Sequence, residues 1–362
     1  MRHHTESDSN KMSTVDYRVV DTIDDVNRNQ WNNVVSQSET GTIFHRTPWL
    51  HAIEEGLGYN AKHVIVEKNG NPQAVFPNFI SAVENPFDLP VNLDTTGLAQ
   101  LSSVSPGFGG PVVVGSKEST LEALFEAVDS IQEWNIIAHR MRLLDAAHVQ
   151  YAQMFRTHGY TPSLLYCRLW LRLDEYDRIR EEMDSGRRKE LRNAEEHDPE
   201  VRVESFSEET VDDFYTEYKK TIERVDGTLY PRSFFETLAR TFEDRIRIFN
   251  AYVDGQPIGK HLCLCDTDQE SLHYFFAGVD AEYFKYSGPA VLHDFAIKWA
   301  LEHGYDVYDF GATSSNYQDG TFRYKQKFGA NIEPVYEWEA SRARLRWAAY
   351  KWARNAYVRN NA

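Results

Sequence analysis

Hydrophobic and polar positions along this chain switch between a period near two and a period near 3.6, and the switches lay out an α/β protein. Helical spacing covers 24–36 and resumes where Thr47-Pro48-Trp49 places a proline close to a helix start. Strand-like runs follow at 63–68 and 74–80, joined by the turn Asn69-Gly70-Asn71-Pro72. An apolar, glycine-rich passage at 107–115 leads to an amphipathic helix at 117–134. A strand at 135–144, a helix at 146–158 and a strongly alternating strand at 164–173 complete the first half.

The second half runs through a similar order. Helices are predicted at 177–197 and 208–225, and a third opens at Pro231-Arg232-Ser233. Strands at 247–253 and 259–265 flank the turn Asp254-Gly255-Gln256-Pro257, and a strand at 271–279 precedes a turn at 280–285. Ser287-Gly288-Pro289 opens a helix to 303, a strand follows at 306–310, and 332–339 closes the domain. The turns NGNP (69–72) and DGQP (254–257) echo each other, as do GGP (109–111) and SGP (287–289), at nearly equal separations. The pattern reads as a tandem duplication of one α/β domain.

A length of 362 residues agrees with two domains, and 41% hydrophobic residues suffice for two cores. No apolar run approaches the roughly 18 residues of a membrane span. Residues 1–16 are polar, lack the apolar segment of a signal peptide and are expected to form a disordered leader. Cys167, Cys263 and Cys265 cannot build a disulfide framework; the last two share one face of a strand and read as buried thiols, without the spacing of a metal site. A cytoplasmic protein is expected. The net charge of −16, with more Arg than Lys, suits a salty cytoplasm. At high salt the Debye length falls to about 3 Å, so local cations and not the global field govern anion binding.

The most specific stretch is Tyr308-Asp309-Phe310-Gly311-Ala312-Thr313 with the following Asp319-Gly320-Thr321-Phe322-Arg323-Tyr324-Lys325-Gln326-Lys327-Phe328-Gly329. An apolar strand enters a glycine loop, and aromatic and basic residues then alternate. Read as extended chain, that alternation sets Arg323, Lys325 and Lys327 on one face and suits an anionic ligand. The two motifs resemble the FemAB-type branch of the GNAT acyltransferases, in which a YDFGG-like strand precedes a DGLYRFKKGFG-like segment. Gly186-Arg187-Arg188-Lys189-Glu190-Leu191-Arg192-Asn193-Ala194 is similar to the basic helix that opens the second domain in that group. The likeness covers about 20–340 and is densest over 247–339.

The resemblance implies tandem duplicated GNAT-like domains, each a mixed, mostly antiparallel sheet flanked by helices. Boundaries are expected at 17–175 and 176–340, with a basic aromatic helix at 341–362. It also implies amide formation, the transfer of an acyl or aminoacyl group from an activated donor to an amine. Acyl-CoA, acetyl-CoA for instance, is the favoured donor and aminoacyl-tRNA the alternative, with no metal. The acceptor class is a small or lipid-linked amine, such as an amino-sugar precursor of a surface glycan. Nucleic acid enters only if the donor is a tRNA, and a non-catalytic tandem-GNAT binding module is the reading from another class.

Within that frame Lys325 is the candidate for holding phosphate or a developing oxyanion, with Arg323 beside it on the cofactor. Ser287 and Gly288 would present helix-start N–H groups to the donor, although one Gly and a Pro stand where relatives carry a richer glycine loop. His273, beside Tyr274, is the acid/base candidate, and Asp309 either orients it or takes the proton itself. Lys260 and His261, within an apolar strand, are acceptor-contact candidates, as are Tyr317 and Arg188. The segment 341–362 carries Arg342, Arg344, Arg346, Lys351, Arg354 and Arg359 with no acid. Its Leu345, Ala349, Trp352 and Ala356 share one helical face. It reads either as a peripheral contact with the inner face of a membrane or as an element docked on the acidic body.

Overall fold

The computed structural model describes residues 15–83, 97–115, 117–144, 146–225 and 227–361. The expected leader lies outside them except for Val15 and Asp16, which already belong to the first strand. In chain order the first half holds β1 (Val15–Val20), α1 (Arg28–Gln37), α2 (Thr47–His51), β2 (Asn60–Ala61), β3 (His63–Lys68) and β4 (Asn71–Phe76). It continues with β5 (Phe79–Ala82), β6 (Ala99–Ser102), β7 (Val112–Val113), α3 (Lys117–Ser130), β8 (Ile136–Leu143), α4 (Ala152–Thr157) and β9 (Thr161–Arg172). The second half opens with α5 (Tyr176–Glu182), α6 (Ser185–Glu195), β10 (Glu200–Ser205), α7 (Glu208–Val225) and α8 (Arg232–Thr241). There follow β11 (Ile246–Val253), β12 (Gln256–Asp266), β13 (Ser271–Gly278), α9 (Gly288–Glu302), β14 (Val307–Thr313), α10 (Gly320–Gln326), β15 (Asn331–Ser341) and α11 (Arg344–Asn361).

Four strands make a small sheet, β1-β3-β4-β7, and the other eleven run β10-β11-β12-β13-β14-β9-β15-β8-β6-β5-β2. The halves trade their last strands. β9, from the first half, pairs with β14, while β15, from the second, pairs with β8, and the two exchanged strands meet antiparallel at the centre. Each half holds one parallel pair, β6/β8 and β13/β14, among otherwise antiparallel strands.

The NGNP and DGQP turns are structurally equivalent. Asn69 and Gly70 sit at φ 55° and 77°, Asp254 and Gly255 at 50° and 74°, as two-residue hairpin loops that match strand twist require. In both hairpins the register slips at the residue opposite the proline: Glu67 faces Pro72 and Tyr252 faces Pro257 before each ladder resumes. Pro has no N–H for the ladder, so a bulge belongs there. The other echo fails. Pro111 leads into β7, and α3 begins only at Lys117, whereas Pro289 lies inside the first turn of α9.

Other departures have local causes. The strand predicted at 74–80 breaks at Pro77-Asn78, where the Asn78 N–H donates to His63 Nδ1 (3.1 Å), and β5 passes into the large sheet. The helix predicted over 177–197 breaks at Met183-Asp184; the Asp184 carboxylate accepts from Gly186 N–H (2.8 Å) and starts α6 afresh. β10 has no counterpart in the prediction, because an edge strand whose only apolar residues are the half-buried Val201 and Val203 leaves little apolar signal.

One core joins the two halves. Phe44, Trp49 and Ile53 from the first half pack in one cluster with Phe214, Phe234 and Phe276 from the second. Ser233 Oγ–H donates to the Gly56 carbonyl (2.7 Å), and a Cβ at Gly56 would lie 2.5 Å from the Phe234 Cα. Cys167, Cys263 and Cys265 are free and buried.

Candidate active site

The parallel ladder between β13 and β14 lasts only three residue pairs, ending at His273 opposite Asp309. Beyond that pair β13 bulges at Phe275 against β12, and β14 turns through Gly311 at φ 76°. The strands splay, and side chains occupy the opening.

At the apex the Asp309 carboxylate accepts from His273 Nδ1–H (2.8 Å) and, through its other oxygen, from Gly311 N–H (2.7 Å). Arg168 Nε lies 3.0 Å from the same carboxylate. Burial opposes ionisation of Asp309, but Arg168, His273 and the Gly311 N–H outweigh it and hold the carboxyl well below its ordinary range. An ionised carboxylate only accepts, so the histidine proton must sit on Nδ1. That leaves the Nε2 lone pair as the basic atom, and Nε2 has no partner among the described residues.

Lys325 reaches the same place from α10. Its Nζ donates to the carbonyls of Ala312 (3.1 Å) and Gly311 (3.4 Å), which leaves a third N–H uncommitted. Burial lowers its pKa to about 8, with Asp309 pulling the other way.

Two cavities flank Tyr274. A cleft of about 300 Å³ is walled by Phe44, Gly107, Phe108 and Arg142 from the first half and by His273, Asp309, Gly311 and Lys325 from the second. A larger cavity of about 580 Å³ lies wholly in the second half, between α7, β12, β13, α9 and α10. His261, Tyr274, His293 and Tyr324 line it together with Thr221, Arg224 and Ser287. Tyr274 borders both. Burial keeps His261 neutral, its pKa lowered to about 3, and pushes His293 down as well. Arg224 donates to the Val279 carbonyl (2.7 Å) and adds a cation to this wall.

Of the residues singled out in the sequence, His273, Tyr274, Asp309 and Lys325 come together at the splay, and His261 and Ser287 share the larger cavity with Tyr274. The others stand apart from both. The supposed cationic row on an extended chain is the helix α10, started by the Asp319 carboxylate accepting from Phe322 N–H (2.8 Å). On a helix Phe322 and Lys325, three apart, turn inward, while Arg323 and Lys327 turn to solvent. Gly288 is packed under β12, where a Cβ would meet the Ile258 carbonyl oxygen at 2.6 Å. Lys260 points to the opposite face from His261 and pairs with Asp213. Arg188 donates to the carbonyls of Glu181 and Met183, closing α5, and Tyr317 is three-quarters exposed on a loop.

Sequence reasoning missed Arg168, Arg142, Arg224 and His293. Arg168 carried a faint signal as one of two cations, with Arg172, in the largely apolar strand 164–173; the other three lie on elements whose charge or helical spacing looks ordinary. The helix start at α9 is poorer in donors than a phosphate cradle needs. Ser287 is left-handed (φ 55°), Pro289 has no N–H, and the N–H groups of Ala290 and Val291 donate back to the Ser287 carbonyl. Among the described residues no cluster of His, Cys, Asp or Glu could hold a metal ion, and no helix is long and apolar enough to cross a membrane.

Comparison with known proteins shows what this geometry is similar to. Residues 184–326 match the family described as acetyltransferase (GNAT) domain. Aminoacyltransferase FemB of Staphylococcus epidermidis is 31% identical over 69 residues, a stretch that is 18% of this chain and only 16% of that protein. The crystal structure of FemX superposes over 90% of this chain and 98% of its own, with a TM-score of 0.69 at 14% identity. A tandem GNAT protein from the clavulanic acid biosynthesis pathway covers 91% of this chain and 98% of its own, with a TM-score of 0.53 at 12% identity. With a GNAT segment over 184–326, a short FemB-like stretch and a duplicated α/β fold shared with FemX, the chain carries a GNAT acyltransferase domain and is similar to the FemAB-type branch of that superfamily.

Proposed function

We propose that this chain is an amide-forming N-acyltransferase with its donor in the 580 Å³ cavity and its acceptor amine in the cleft between the halves. The observation that carries the reading is that Tyr274 lines both cavities, beside a carboxylate-oriented histidine and a buried lysine. The neutral amine attacks the donor carbonyl. The uncommitted N–H of Lys325 stabilises the oxyanion, a contact typically worth about 10²–10³ in rate. His273 Nε2 takes the amine proton, with Asp309 holding the tautomer and the resulting imidazolium. The leaving oxygen or sulfur then receives that proton as the tetrahedral intermediate collapses.

Two features bear on the donor. The depleted α9 start offers little to a CoA diphosphate, and the FemB stretch belongs to a protein named an aminoacyltransferase. Both favour an aminoacyl ester such as aminoacyl-tRNA over the acyl-CoA favoured from sequence. For the acceptor, a small or lipid-linked amine such as an amino-sugar glycan precursor suits the aromatic cleft wall of Phe44, Phe108 and Tyr166. The domain limits 17–175 and 176–340 remain our reading of the duplication, with β9 and β15 exchanged across them.

The test supplies labelled acetyl-CoA or labelled aminoacyl-tRNA with a panel of amines and lipid-linked amino sugars. Ribonuclease-sensitive label transfer supports the aminoacyl reading. Transfer from acetyl-CoA alone reinstates the thioester donor. Unchanged acceptor binding with no transfer from either donor would leave a binding module.

A further inference from the structure

Helix α11 presents two apolar faces, and the body of the protein covers only one. Trp347 and Tyr350 turn inward and are buried, with Trp347 over the Arg140 guanidinium (5.4 Å). The root of the helix is fixed by Arg342, which pairs with Asp129 and donates to the carbonyls of Val128 (2.8 Å) and Ile131 (3.1 Å). The opposite face carries Leu345, Ala348, Ala349 and Trp352, a stripe with the i, i+3, i+4, i+7 spacing of a single helical side. Leu345 is 88% exposed and Trp352 75%. A second exposed ring, Trp134 at 75%, stands nearby beneath Arg346 (6.0 Å).

Charge selects the occupant. On the helical wheel Arg344 and Lys351 flank the stripe on one side and Arg346 on the other, and all three are exposed. The segment 341–362 holds six basic residues and no acidic one, in a chain of net charge −16. An anionic surface would be repelled by most of this molecule and attracted here. Apolar residues bordered by long cationic side chains that reach up toward headgroups describe a helix lying in a membrane interface.

The position is also informative. Arg140 and Arg142 lie on the same face of β8, two residues or about 7 Å apart. Arg140 sits under Trp347, while Arg142 lines the cleft. Glu337 on the neighbouring strand approaches both guanidinium groups, and Glu339 accepts from Lys351 Nζ (3.1 Å). The helix and the proposed acceptor cleft therefore share one face of the central sheet.

We propose that the outer face of α11, with Trp134, docks on an anionic lipid surface and brings the cleft to acceptors embedded there. The lipid contact stands on exposure and charge alone; only the purpose assigned to it rests on the acyltransferase reading. The test uses the full chain with phosphatidylcholine vesicles, with and without phosphatidylglycerol. Co-sedimentation, tryptophan quenching by brominated lipid and sedimentation velocity are read together.

We expect binding to the anionic vesicles that weakens with salt. Trp352→Glu should weaken it at least tenfold and Arg344→Gln about fivefold, the usual worth of one basic residue near such a surface. Both sites are exposed, so the thermal midpoint should not move, and that serves as the folding control. Absence of binding to anionic vesicles at low salt would overturn the proposal. So would binding unaffected by Trp352→Glu, or a dimer that Trp352→Glu converts to monomer, since the stripe would then be a self-interface. Vesicle binding needs neither donor nor acceptor, so a chain that binds vesicles but transfers nothing fails the enzymatic reading alone.

Discussion

Replacing Lys325 by Met separates catalysis from stability in opposite directions. The side chain is 7% exposed, and burial brings its pKa from 10.5 to about 8. Keeping that ammonium charged at neutral pH therefore costs folding roughly 3 kcal/mol. Met fills similar space without the charge, but the carbonyls of Gly311 and Ala312 lose their donor, at about 1 kcal/mol each. The variant should thus match or slightly exceed the wild type in urea unfolding at pH 7, while kcat falls about 10²–10³-fold. The sign of the pH dependence follows from the same depression. Between about 8 and 10.5 the unfolded chain holds the lysine proton and the folded chain does not, so Lys325 makes wild-type stability rise with pH there. The advantage of the Met variant should disappear across that window. Wild-type turnover should fall above pH 8, because roughly a tenth of the lysine is cationic one unit higher. A variant that is several kcal/mol less stable, or one with unchanged kcat, would refute the reasoning; so would a wild-type rate flat from pH 7 to 10.

Asp309→Asn removes the buried carboxylate that faces the half-buried Arg168, leaving Glu333 (3.5 Å) as its ion-pair partner, and should cost about 3 kcal/mol in urea unfolding. Because Asp309 is held low when folded, its contribution is complete above about pH 4 and lost as pH falls further; the Asn variant should show a shallower acid transition. His273→Ala should lower kcat about 10²–10⁴-fold with donor binding intact, measured by single turnover and donor titration. Gly56→Ala forces a Cβ against the Phe234 backbone and should cost about 1–3 kcal/mol, visible as a lower urea midpoint. If Gly56→Ala is neutral, the two halves do not pack as tightly as this interface indicates.

The local grammar of the chain was legible in the residues themselves. Two-residue turns at Asn69-Gly70 and Asp254-Gly255 demand left-handed backbone, so their residue types alone mark equivalent hairpins. Helices and strands with a clear period lie close to where the pattern puts them, because burial on one face is written into sequence neighbours. His273 and Asp309 stood out as polar residues in apolar strands. What sequence could not show is which distant groups converge. The exchange of β9 and β15 carries Arg168 to Asp309 and Arg142 to the cleft, contacts between residues nearly 200 positions apart in the case of Arg142 and Glu337. The stretch after Asp319 misled because its alternation of aromatic and basic residues fits a strand equally well. The Asp319 cap and packing against the second-half core made it a helix, which turned Lys325 inward and released Arg323 to solvent. Periodicity is a property of neighbours along the chain and survives translation into structure. A catalytic arrangement belongs to neighbours in space, and here only the paired strands and shared core of two exchanged halves decided them.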